Sequence, residues 1–294
     1  MKSLILIIFL SVIFIASCSN SDDFNLPENV AIPKGMVLVP GGKIILGSEQ
    51  GLDNEKNGYT VNLKPFFIDV NPVTVAEFRK FVAATKYKTQ AEIFGDAAVL
   101  NDTTKVWELR KGVNWEFPQG EKFGKAKDNH PVTQVSWNDA QAYCKWAKKR
   151  LPTEAEWEHA AKNGEDIKTL FPWGNEQKVN GKYKANFWQG NFPYVNEVED
   201  KFAFTNPVGA FGKTPLGLTD MAGNVWEWCE DWYLPYNKYD EPFQPNENSE
   251  KVQRGGSFLC DPKVCYGFRT TARSHSTPES ALYHVGFRTV KDIE

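Results

Sequence analysis

Two thiols, Cys260 and Cys265, are the feature of this sequence best suited to chemistry. They stand in Arg254-Gly255-Gly256-Ser257-Phe258-Leu259-Cys260-Asp261-Pro262-Lys263-Val264-Cys265-Tyr266, behind a glycine pair. Such a pair can close a local disulfide, supply half of a zinc site, or hold a soft metal between two thiolates. Structural zinc normally takes four N/S ligands. The histidines stand at 130, 159, 275 and 284, and no second close ligand pair accompanies the cysteines. Two thiolates suffice for Cu(I), a soft ion content with near-linear coordination. Spacing alone favours the plain disulfide over copper and leaves both readings open.

The elements that must position such a loop are legible mainly from their caps. Thr74-Val75-Ala76-Glu77 is a capping box, in which the Thr oxygen accepts an orphan N–H and the Glu reaches back to the cap. Val75, Phe78 and Val82 follow on one helical face, joined by Phe81. Thr153-Glu154-Ala155-Glu156 is a second box, with Trp157, Ala160 and Ala161 as its apolar stripe. Between them Ser136 or Asn138 can cap a helix whose inner face is Ala140, Tyr143, Cys144 and Ala147. Cys144 on that face reads as a small buried hydrophobe. Beyond residue 164, Phe171-Pro172-Trp173-Gly174-Asn175 and Asn206-Pro207-Val208-Gly209 are turn signals, and regular periodicity fades. Short strands are expected at Met36 to Pro40, Lys43 to Leu46, Lys64 to Val70 and His284 to Val290. With no repeat and no second linker, the pattern predicts one irregular, loop-rich α+β domain over 34–294. A loop-rich domain of this size invites metal fasteners.

The chain has 294 residues, 41 % of them hydrophobic and 14 % aromatic, enough for a packed core. Its 34 basic and 37 acidic residues are spread along the sequence, with no basic stripe interleaved with aromatics. Nucleic acid is therefore excluded as an expected partner. Lys2 and the apolar run Leu4 to Ile15 have the form of a signal peptide, residues 1–17, too short to span a membrane. Ile15-Ala16-Ser17-Cys18 resembles the bacterial lipoprotein processing box, which predicts lipidation at Cys18 and a membrane anchor without a span. Residues 18–33, polar and acidic, read as a flexible tether. An exported setting permits disulfides among the remaining Cys144, Cys229, Cys260 and Cys265, in more than one pairing.

The cysteine stretch, with Thr271-Ala272-Arg273-Ser274-His275-Ser276-Thr277-Pro278 and Val285-Gly286-Phe287-Arg288, resembles the active-site region of formylglycine-generating enzymes, the sulfatase-modifying factors. The likeness extends through His130-Pro131-Val132, Val135-Ser136-Trp137, Lys149 to Glu158, Phe171-Pro172-Trp173-Gly174, Ala185 to Gly190 and Gly223 to Trp228. It implies the low-regularity fold shared with C-type-lectin-like proteins. It also implies that Cys260 and Cys265 bind Cu(I), that a substrate cysteine joins as a third thiolate, and that O2 is activated there. The substrate then loses a β-hydrogen and its sulfur, leaving an aldehyde. By position, Ser257 stands beside the reacting centre, Trp226 and Asn224 line the pocket, and Arg273 lies close by. The resemblance further implies calcium held by Asn186, Asp200 and the carbonyls of Phe187 and Phe202. A second calcium set would be Asp220 and Glu227 with the carbonyls of Gly223 and Val225, Asp220 standing where the family usually has Asn.

The implied partner is an exported sulfatase carrying a Cys-x-Pro-x-Arg motif, bound as an extended peptide by a monomeric, membrane-anchored lipoprotein on the periplasmic or outer-surface side. Some secreted relatives carry two disulfides, but here Thr289 faces Cys144's expected pairing, and Ala160 and Thr270 replace the other pair. Cys144 is thus expected to be a free thiol. His284 stands where an Asn is common near the peptide groove. Two rival readings are a non-catalytic lipoprotein of the same fold, whose members generally lack the cysteine pair, and an iron oxygenase. The latter needs a His-x-x-x-Glu-x-His cluster, which this chain lacks.

Overall fold

Four capping boxes fix the starts of four helices in the computed structural model, which describes residues 30–293. The leader, Cys18 and most of the tether lie outside the described residues. The strands are β1 (Met36–Val39), β2 (Gly42–Ile45), β3 (Thr60–Leu63) and β4 (Phe66–Asp69). Helices α1 (Val75–Thr85) and α2 (Gln90–Phe94) lead into β5 (Asp96–Leu100) and β6 (Trp107–Lys111). Then come α3 (Trp137–Ala147) and α4 (Glu154–Ala161), and the two-residue strands β7 (Lys178–Val179), β8 (Lys182–Tyr183), β9 (Gly190–Asn191) and β10 (Val195–Asn196). The chain ends in β11 (Trp226–Trp232), β12 (Lys251–Arg254), β13 (Arg273–Ser276), β14 (Val285–Gly286) and β15 (Val290–Asp292). Long connections between short elements make this a mixed, loop-rich single domain, as expected.

α1 follows Thr74 and buries Val75, Phe78 and Phe81. α3 is capped by Ser136, not Asn138, because Ser136 holds the extended backbone of a cap and exchanges bonds with Asp139. Thr89 and Glu92 form a further box that starts α2, a helix the apolar periodicity did not announce because its five residues are too few to show one. α4 departs most from expectation: all eight residues are buried, not one stripe. Its carboxylates Glu154 and Glu158 are therefore internal and must find cations. The expected His284 to Val290 strand splits, since β14 pairs parallel with β11 whereas β15 pairs antiparallel with β4.

Two sheets carry the architecture, β1-β4-β15 and β13-β12-β11-β14. α4 packs between them, with Trp157, Ala160 and Ala161 meeting Phe66, Ile68, Val252 and Val290. The larger core joins α1 and α3 to Trp226, Trp228, Cys260, Phe268 and Phe287. Removing these side chains from water supplies the main drive to fold, on the order of 2 kcal/mol for each fully buried large apolar group. Cys144 and Cys229 are buried free thiols, and Thr289 instead donates to Asp69. Among the described residues no helix is long and apolar enough to cross a membrane.

Candidate active site

Asp261 is the residue that folds the two thiols onto one another. Its carbonyl accepts the N–H groups of Val264, Cys265 and Tyr266 at 2.9, 3.1 and 3.2 Å, coiling the chain back on itself. Its buried carboxylate accepts Lys263 N at 2.8 Å and Phe192 N at 3.1 Å, which pins the coil to a neighbouring loop. Tyr266 completes the turn at φ +42°, a conformation rarely held by a residue with a Cβ. Gly256 allows the incoming strand to pass, because a Cβ there, at φ +72°, would stand 2.5 Å from Phe268 N. The sequence reading missed Asp261; the Asp-Pro dipeptide was its one signal.

Cys260 and Cys265 are thus brought together and carry no disulfide. The spacing-based preference for a bridge is not what the structure shows. Burial pushes the Cys260 thiol well above its ordinary range. Cys265 is held below it by a hydrogen bond from Cys260, aided by Gly267 N–H and the Arg269 charge. Ser257 N donates to Cys260 Sγ at 3.3 Å, with Ser257 Oγ 3.9 Å away. Trp226 forms the wall: a Cβ on Gly267 would meet its ring at 2.6 Å and Cys260 Sγ at 3.0 Å.

Asn224 and Arg273 are not brought to the thiols. Asn224 is buried at φ +65°, its side chain bonded to Asn206 and Asp220, and its carbonyl accepts Phe258 N at 3.1 Å. It fixes the backbone beside Ser257. Arg273 pairs with Glu154 through Nε and Nη2, both at 2.7 Å, and donates to the carbonyls of Asn54 and Leu234. That pairing answers the carboxylate buried by α4. His284 lies against Trp107, ring centroids 5.3 Å apart, and burial lowers its imidazole to about 3.

The two thiols fit a soft ion, being adjacent and unbridged. No group of three or more His, Cys, Asp or Glu side chains converges on a metal position among the described residues, which suits a two-sulfur site better than zinc. The first calcium set also fits its ion. Asn186 Oδ1 is buried without a donor, and Asp200, 5 % exposed, receives only N–H groups from Phe187, Phe202 and Gln189. Desolvation raises the Asp200 carboxyl, a cost that a cation would remove. The second set does not fit. Glu227 is gripped by Arg288 at 2.6 and 2.7 Å and by Trp157 Nε1 at 2.7 Å, so its charge is already neutralised. Asp220, like Asp200, receives only N–H groups, from Gly209, Asn206 and Asn224, so the misfit rests on Glu227.

Residues 23–293 match the model of the sulfatase-modifying factor enzyme 1-like domain. The chain belongs to that family. The formylglycine-generating enzyme of Thermomonospora curvata is 41 % identical over 301 residues, 92 % of this chain and 99 % of that protein. The mouse formylglycine-generating enzyme is 41 % identical over 288 residues, 90 % of this chain and 77 % of that one. In three dimensions the family fold matches PvdO from Pseudomonas aeruginosa with a TM-score of 0.68, 24 % identity, and coverage of 87 % and 94 %. This likeness concerns the fold alone.

Proposed function

We propose that this family member is an oxidoreductase that converts a cysteine of a sulfatase polypeptide to formylglycine, using Cys260 and Cys265 as a Cu(I)-holding pair. The observation that carries this reading is the pair itself: two free sulfurs folded together by Asp261 against Trp226 and Ser257. Relatives named for the same activity, about two-fifths identical over most of the chain, support it. Cu(I), when bound, supplies the one-electron chemistry with dioxygen that side chains lack. Cys260 and Cys265 would hold the ion through their two sulfurs, both of which must be deprotonated to serve as ligands. The Ser257 N–H steadies the Cys260 sulfur, while Trp226 and Gly267 close the inner side against water. Overall the substrate CH2–SH becomes CHO: the carbon gives up two electrons, the sulfur leaves as hydrogen sulfide, and O2 takes those two electrons and two more from the added reductant, its oxygen ending in water and the aldehyde.

The protein is incubated with Cu(I), a Cys-x-Pro-x-Arg peptide, reductant and oxygen, and aldehyde is sought by mass spectrometry. Product from the wild type and none from Cys260→Ser or Cys265→Ser is the expected result. An intact, copper-loaded wild type without product would overturn it in favour of a non-catalytic lipoprotein. The same reading includes calcium at Asn186, Phe187, Asp200 and Phe202, a monomer binding its substrate as an extended peptide, and export with a lipid on Cys18. Unchanged membrane fractionation of Cys18→Ala would refute the anchor.

A further inference from the structure

The loop between β2 and β3 lies more than two hundred residues upstream of the cysteines, yet it clamps the segments on both sides of them. On the upstream side, Gly47 N donates to Glu158 Oε1 at 2.9 Å, and Glu158 pairs with Arg254, which opens the Gly255-Gly256-Ser257 turn. On the downstream side, Glu55, fully buried in the 3-10 turn Asp53–Glu55, receives Arg269 through both terminal nitrogens, Nη1 at 2.7 Å. Thr271 Oγ1 donates to the same carboxylate at 2.6 Å. Arg269 Nε donates to Tyr266 O at 3.2 Å, and its guanidinium lies 5.3 Å from the Tyr266 ring centre. One planar fork thus joins a carboxylate from the start of the domain to the left-handed residue that directly follows Cys265.

We infer that Arg269, anchored by Glu55, is a positioning residue for Cys265, holding the Tyr266-Gly267 turn so that both sulfurs face one ion. Tyr266 stays in its disfavoured conformation only if its surroundings over-determine it, and Arg269 is the side chain that grips both its carbonyl and its ring. Gly267, the next residue, fills the narrow space between Trp226 and Cys260 and aims its N–H at Cys265. A lysine at 269 would keep the charge but could not make the two-point contact with Glu55 while also reaching Tyr266 O. The inference rests on reading Cys260 and Cys265 as the reacting pair.

The test compares wild type with Arg269→Lys and with the charge-neutral double variant Glu55→Gln/Arg269→Met, Arg79→Ala serving as a surface ion-pair control. Metal-free protein is titrated with Cu(I) against a colorimetric Cu(I) chelator, and backbone hydrogen exchange is followed over residues 262–268. Both variants should bind Cu(I) about tenfold more weakly, the scale of losing a charged hydrogen bond. Exchange over 262–268 should quicken while α1 exchanges as before. With peptide substrate, kcat should fall and KM stay. A folded Arg269→Lys with wild-type affinity and exchange would overturn the inference, and it decides alone should the double variant not fold. If the wild type takes up no Cu(I), the copper reading falls, and the exchange over 262–268 still decides whether Arg269 positions the turn.

Discussion

Gly267→Ala adds one methyl at the tightest point of the site, and its consequence follows from the geometry. The new Cβ would lie 2.6 Å from Trp226 Cη2 and 3.0 Å from Cys260 Sγ. Carbon atoms rest about 3.5–4.0 Å apart, so the indole or the turn must retreat by roughly 1 Å. Trp226 is 6 % exposed and packed in the main core, which leaves little room for that retreat. Overpacking of this kind costs about 1–3 kcal/mol. In a domain of this size each kcal/mol moves Tm by about 2–4 °C, so a fall of roughly 2–12 °C is expected. The effect on turnover should be larger, because a displacement of about 1 Å in a reacting group costs on the order of a hundredfold. Thermal unfolding and aldehyde formation from the peptide are measured on the same preparation. An alanine variant with unaltered Tm and turnover would refute the claim that Gly267 forms the wall of the pair.

Removing calcium with a chelator should lower Tm of the wild type and leave Asp200→Asn, already weakened, unmoved; equal shifts in both would exclude the Asn186–Asp200 site. Arg288→Met leaves the fully buried Glu227 carboxylate without its cation and should cost about 3–5 kcal/mol in urea unfolding, most of it regained in Glu227→Gln/Arg288→Met. If calcium occupied Glu227, added calcium would rescue the single variant, and no rescue is expected. Acid should weaken the fold early: burial holds His130 near about 4 and His284 near about 3, while an unfolded imidazole titrates near 6.5. The unfolded chain alone takes up these protons, so the stability present above pH 6.5 declines as pH falls toward 4. A His130→Gln/His284→Gln variant should show a shallower decline in Tm over that window.

What was legible in the sequence is what is local. Thr74, Ser136 and Thr153 stand within a turn of the residues they cap, so the starts of α1, α3 and α4 could be read directly. The cysteine pair could be found but not its state, since a five-residue separation serves a bridge or a metal equally. The coil at Asp261 that decides their approach uses a carbonyl, and the Asp-Pro dipeptide is its one trace in the sequence. Glu227 and Arg273 carried family-matched expectations that their long-range partners redirected: each meets an opposite charge more than sixty residues away. Glu55 gave no signal at all, because its meaning depends on Arg269. β11 was unread for another reason: its first four residues, Trp226 to Cys229, are all buried, so they show no alternation.

The pairing of β15 with β4, and of Val290 with Arg150, makes residues around 290 structural partners of residues far earlier in the chain. A polypeptide made from its N-terminus cannot close this sheet until the residues around 290 have been added. β14, which lies beside β11, waits on much the same arrival. Contacts so distant along the chain form slowly, whereas the coil that brings the two sulfurs together closes locally, between Asp261 and Tyr266. The fold therefore lets the cysteine turn form locally, while the sheets that frame it close last.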